Sequence, residues 1–363
     1  MTRGARALSA VWSRPVLLTA PELLETRPGF TLVRAQVRGG PVPGVLLKSF
    51  PNEPVRGFDD RAGAEFLTRR GLDASPPFLA GDVDARLFLL EDPGPGRTLE
   101  ALLRARDARA ATAGVLATAR LLGQLQARTL GNPSEYELLR QSLPPRPGRV
   151  RMEEARGLLE HEERLTRWLT AVGTRPSPGT HEELEAVARA LADPGPLLAF
   201  TWGHPSPAGV WFTLGGPRLL DLGASGMRHA LWDALPWLVS LPLPEELTAR
   251  ADTTYRLGLS PQCEAAQVDS RWARARATVA LARTVHVLQG LHPRVLEEDR
   301  PGAFPELSAR ATLLHHLARC RLWLAPLDDF PGLTRALEEL ETRLRERWTL
   351  APFTWPALRQ TDG

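Results

Sequence analysis

An α+β fold, with a small β-rich N-terminal part and a large, mostly helical remainder, is what this 363-residue sequence predicts, on three observations. Short apolar runs punctuated by Gly and Pro fill the N-terminal part. From Thr98 onward, apolar residues recur at helical spacing instead. One β-like interruption, at about 199–223, divides the helical part.

In chain order, Phe30–Val37 and Gly44–Phe50 read as two strands joined by the turn Arg38-Gly39-Gly40-Pro41, so the pair is predicted to be a hairpin. Asp59-Asp60 read as the cap of a helix that runs to about Arg70 and carries Glu65. Arg86–Leu90 is a further strand. The stretch Glu91-Asp92-Pro93-Gly94-Pro95-Gly96 is too rich in Pro and Gly to be anything but a linker, and places a boundary between residues 1–92 and 93–363. Helices are predicted at about 110–129, 152–172, 181–191, 245–255, 268–288, 307–324 and 333–348. The interruption contains Ala199–Phe212 and Pro217–Gly223 and reads as a hairpin inside helical surroundings, where loops tend to carry function.

Composition excludes several classes. Cys263 and Cys320 are far apart, and only His316 is a neighbouring co-ligand, so neither a disulfide framework nor a zinc site is expected. A reducing cytoplasm is the expected home. No secretory leader and no apolar run long enough for a bilayer are read, so a membrane is not expected as a partner. The formal net charge is +3 although the pI is about 9.3, because the basic side chains are nearly all arginine. Those arginines are interspersed with acidic residues, which reads as a solvated mixed surface and not as a nucleic-acid face. The adjacent pair His315-His316 points in two directions on a helix and is expected to split between core and surface.

The chain contains one lysine, Lys48, at the end of the second strand of the hairpin. A lysine surviving where every other basic residue is Arg suggests a place that needs a compact ammonium and not a planar fork.

With Lys48, Glu65, the acidic linker Glu91-Asp92, the loop Trp202-Gly203-His204-Pro205-Ser206-Pro207-Ala208-Gly209 and the turn Leu220-Asp221-Leu222-Gly223 in this order, the sequence resembles the aminoglycoside and choline phosphotransferases over about residues 25–240. The resemblance implies a bilobal protein-kinase-like fold, with an N-lobe at 1–92 and a helical C-lobe at 93–363 holding the catalytic-loop hairpin. It also implies ATP or another nucleotide as cofactor, with Lys48, Glu65, Glu91 and Asp92 on the nucleotide and Asp221 on magnesium.

This sequence departs from the family's pattern His-Gly-Asp-x-x-x-x-Asn. The catalytic Asp is His204, the magnesium-binding Asn is Gly209, the loop His is Trp202, and the phosphate-covering loop is reduced to Pro28-Gly29-Phe30-Thr31. Loss of a general base costs about 10²- to 10⁴-fold, and a neutral imidazole at His204 can accept a proton. Gly209 removes a metal ligand outright, so at most one Mg²⁺ is expected. The leading expectation is a degenerate phosphotransferase-like protein that binds a nucleotide, a small molecule or a protein partner with little or no phosphoryl transfer. An active ATP-dependent small-molecule kinase is the alternative, and a helical interaction module on the same scaffold is the second.

Overall fold

The computed structural model describes residues 1–145, 148–304, 307–351 and 353–359. The fold class is the one expected, α+β, with a small antiparallel sheet and a larger helical part. The chain folds as two compact units interleaved along the sequence: Met1–Ala101, Asn132–Arg149 and Phe200–Met227 form the first, and Leu102–Gly131, Val150–Ala199 and Arg228–Gly363 the second. The loop at 200–209 and the turn at 220–223 therefore belong with the N-terminal sheet, although in sequence they lie beyond the 92/93 linker.

The first unit opens with helix α1 (Thr2–Trp12) and strands β1 (Leu17–Arg27), β2 (Phe30–Arg38) and β3 (Gly44–Ser49). Helix α2 (Pro54–Arg69) follows, then β4 (Phe78–Asp82) and β5 (Leu87–Glu91). The five strands pair antiparallel in the order β1-β2-β3-β5-β4. The predicted β2–β3 hairpin is present, with Leu32 opposite Lys48. Strand β1 was not legible because Pro21 interrupts it; it is tolerated at an edge, where the ladder shifts register between Thr19 and Glu22.

Both faces of β3 are covered, and so its sequence is apolar without alternation. Val45 and Leu47 join Leu8, Val16, Ala35 and Leu89 in a core under α1. The period of two sends Leu46 and Lys48 to the other face, alongside Leu90 and Phe88 of β5. On that side Phe50 meets Phe58 of α2 edge-on, with ring centroids 5.0 Å apart.

Helix α2 begins nearly two turns earlier than expected. Pro54 occupies its first position, where the missing N–H costs nothing, so Asp59 and Asp60 lie inside the helix and do not cap it. Helix Pro133–Gln141, also not foreseen, packs against α2 through the aromatic group Phe66, Tyr136 and Phe200. Arg97–Thr98, Val210–Thr213 and Gly216–Leu219 form a small three-stranded sheet, and its hairpin is the predicted interruption.

The second unit is helical. Its main helices are Ala108–Ala127, Thr180–Ala192, Glu245–Leu259, Asp269–Gly290, Ala309–Leu324 and Pro331–Arg347. The single helix expected at about 152–172 is two, Val150–Glu160 and Glu162–Ala171, broken at His161. Asp233 is fully buried and accepts a hydrogen bond from Gln126 Nε2 at 2.9 Å, a fold-supporting role. No helix among the described residues is long and apolar enough to cross a membrane.

Three imidazoles are enclosed in this unit. Burial pushes His229 and His315 down to about 4 and His316 down to about 3; Arg319 adds to the effect at His315. In an unfolded chain such rings titrate near about 6.5. Between these values the unfolded state binds more protons than the native one, so stability falls as pH drops from about 6.5 toward about 4. Fully expressed, below both values, the effect is at most about 3 kcal/mol for His229 and for His315 and about 5 kcal/mol for His316. Replacing His316 by Gln should reduce proton uptake on unfolding near pH 5 by about one. Urea melts of the two proteins between pH 4 and 7 measure this, and identical pH profiles would contradict it.

Candidate functional site

Every residue of the candidate site lies in the first unit, where α2 runs beside the turn at 220–225. Arg56, Asp60 and Gly63 recur at i, i+4 and i+7 and so share one face of α2. Each meets the turn. The Arg56 guanidinium donates to Asp221 Oδ2 at 2.5 Å. Asp60 accepts from the Leu222 amide at 3.0 Å. At Gly63 an added Cβ would stand 2.6 Å from Ser225 Oγ.

Lys48 completes the arrangement from β3. Its ammonium, on a residue only 4% exposed, donates to Asp60 Oδ2 at 2.6 Å and to the Leu220 carbonyl at 2.5 Å. Asp60 thus joins the sheet to the turn, one carboxylate oxygen for each. Burial pushes the Asp60 carboxyl up, and the facing Lys48 charge only partly offsets this. Asp221 goes the other way. Burial works against its charge, but Lys48, Arg56 and the Gly223 amide overcome it and hold the carboxyl below its usual range.

Glu65 is not the carboxylate at Lys48. One turn further along α2, it lies between Arg61 and Arg69, its neighbours at i−4 and i+4, and is ion-paired with both. The helix starts at Pro54, and that phase turns Asp60 toward β3 and Glu65 away. Asp60 and Arg56 were missed in the sequence. The available signal was their shared helical stripe with Gly63.

Glu91 ends β5 and Asp92 begins the linker. Asp92 pairs with Arg34 Nε at 2.9 Å and accepts from the Gly94 amide at 3.0 Å. The Glu91 amide donates to Pro77 and the Asp92 amide to Gly44. Pro93 and Pro95 have no N–H to give. The Trp211 indole N–H donates to the Gly94 carbonyl at 3.3 Å.

The altered loop is filled, not hollow. Trp202 is 1% exposed, and its indole N–H donates to the carbonyl of Asp221. Its ring lies over Gly209, where a Cβ would stand 2.4 Å from Cζ2. The Gly209 carbonyl in turn accepts from Leu220 N at 2.9 Å. His204 is solvent-exposed, in the turn before Pro205.

A pair of magnesium ions does not fit: position 209 has no side chain, and the indole takes the space one would need. A single ion has Asp221, at present paired with Arg56. That pair is 43% exposed on both sides and is worth up to about 1 kcal/mol, so it is a small obstacle. Among the described residues no other group of His, Cys, Asp and Glu is arranged to hold a metal.

No family model matches the sequence, and no curated protein matches it. Among solved structures the chain is similar to phosphotransferases and small-molecule kinases. One is a macrolide 2'-phosphotransferase from Brachybacterium faecium, 18% identical, with 77% of this chain and 89% of that chain covered and a TM-score of 0.48. Two others are choline kinases, from Streptococcus pneumoniae (13% identical, 86% and 95% covered, TM-score 0.45) and Cryptosporidium parvum (11% identical, 88% and 93% covered, TM-score 0.49).

Two stability measurements check the site. Lys48→Met leaves a buried carboxylate without its cation and should destabilise by about 3–5 kcal/mol. Lys48→Met with Asp60→Asn should recover part of that loss, since the unpaired charge is gone and the Asn Oδ1 can still accept from the Leu222 amide; additive losses would contradict the coupling. Gly209→Asn forces the Trp202 ring to move and should cost about 1–3 kcal/mol by overpacking, whereas an unchanged melting temperature would contradict the close approach.

Proposed function

We propose that the protein is a degenerate aminoglycoside-phosphotransferase-like protein, a kinase-like scaffold that binds a ligand and carries out no phosphoryl transfer. The observation that carries this reading is the Trp202 ring over Gly209. Phosphoryl transfer depends on metal ions that neutralise charge on the transferred group and on a residue that orients the attacking hydroxyl. A glycine stands at one metal-ligand position, with an indole packed against it, and His204 takes the place of the orienting carboxylate. The first change weighs more, because the loss of a base only slows the reaction.

ATP or another nucleotide, with at most one Mg²⁺, is the ligand the remaining groups suit, and it binds by competition. A phosphate oxygen must draw Lys48 from Asp60 and Leu220, and the ion must draw Asp221 from Arg56. Binding is therefore expected to be weak. The linker amides at 91, 92 and 94 are already bonded, which leaves the base little to hold.

Thermal shift with Mg-ATP tests both parts. At about five dissociation constants, bound nucleotide adds about 1 kcal/mol to stability. The wild type should shift slightly at millimolar Mg-ATP, and Arg56→Ala should bind up to about fivefold more tightly in the presence of Mg²⁺. No transfer to a panel of hydroxyl and amine acceptors is expected, and none from His204→Asp combined with Gly209→Asn while Trp202 remains. Wild-type turnover that Asp221→Ala abolishes would overturn the non-catalytic reading. No shift in either protein would overturn the nucleotide reading.

A further inference from the structure

The second unit holds a cavity of about 580 Å³ that the nucleotide reading does not use. Three segments wall it: Pro242–Pro244, one face of helix Ala309–Leu324, and the stretch 353–359. Its volume lies in the range of small-molecule sites.

The walls are of two kinds. Leu243, Phe353 and Leu358 are apolar, and Pro242 and Pro244 offer no backbone donor. His315 and Arg319 stand one turn apart on the same helix face, and Arg359 sits at the other wall.

Arg319 is the unusual group. It is 8% exposed, and no carboxylate lies within ion-pair distance of it among the described residues. Its polar contact is the Trp237 carbonyl at 3.5 Å, and its guanidinium lies 6.0 Å from the Trp323 ring centre. Trp323 already faces Arg276 at 4.5 Å, so its π-face is shared. Glu245 is the acidic group whose charge reaches Arg319, from an exposed position in the first turn of its helix. A guanidinium stays charged under these conditions, and a buried charge so weakly compensated is costly. Burial and the neighbouring Arg319 keep His315 neutral, with its ring hydrogen-bonded to the Leu241 backbone, so it adds no second buried charge. Arg359 is exposed and gives its Nε to the Thr354 carbonyl at 3.3 Å, which leaves the rest of its fork for the cavity mouth.

We infer that this cavity binds a small organic anion, its carboxylate or phosphate between Arg319 and Arg359 and its apolar body against Leu243, Phe353 and Leu358. The anion supplies the negative charge that Arg319 lacks, and Pro242 and Pro244 offer no backbone N–H to compete for it. This site is independent of the Lys48–Asp221 region.

Calorimetric titration with phenyl phosphate, benzoate, inorganic phosphate and benzyl alcohol tests it. Phenyl phosphate and benzoate should bind, and their relative affinities tell the phosphate source from the carboxylate one. Inorganic phosphate should bind more weakly, and benzyl alcohol least. Arg319→Gln should weaken the anions by about tenfold or more, the loss of a charge-assisted hydrogen bond. Arg359→Ala, at an exposed position that does not endanger folding, should weaken them severalfold and flatten their salt dependence. Asp221→Ala should leave them unchanged. No binding of either aromatic anion, equal binding of benzyl alcohol, or anion affinity unaltered by Arg359→Ala would overturn the inference.

Discussion

The Lys48 ammonium and the Asp60 carboxylate, both shut away from water, set the terms for the site around them, because neither charge can be left alone in a medium of low dielectric. Asp60 spends one oxygen on the ammonium and the other on the Leu222 amide. The ammonium in turn takes the Leu220 carbonyl. A turn at 220–222 is thereby fixed against a strand and a helix far from it in sequence. The direction of Asp221, the contact of Arg56 and the place of the Trp202 indole all follow from where that turn is held.

Two features of this geometry support the proposed non-catalytic reading, and they differ in strength. The Arg56–Asp221 pair is half in solvent, so salt and water weaken it. The indole over Gly209 is a packing arrangement in a close-packed interior, where even one methylene is felt. Sterics, not charge, decides that a side chain at 209 cannot be added by a change at that position alone.

The sequence made the outline readable because its signals were local. The Gly-Pro punctuation around β2 and β3 and the helical spacing after Thr98 each depend on neighbours a few residues apart. Lys48 was found because its chemistry was singular among the basic residues. Its partner Asp60 was not foreseen because helix phase depends on where the helix begins. Pro54 at its first position moved that start back from Asp59-Asp60. Strand β1 was hidden by Pro21, which only an edge position permits. Arg56 was invisible for a different reason: it has meaning only beside Asp221, 165 residues away. Trp202 read as a lost histidine, and only the fold reveals that it also covers Gly209.

The fit between Trp202 and Gly209 has an evolutionary corollary. With the indole in place, an amide at 209 collides with it; with the ring trimmed first, the protein loses a fully buried aromatic side chain and gains a void. Each change is unfavourable until the other has been made, which is sign epistasis within a single contact. Such a contact ties the two positions together: neither changes alone without a loss of stability.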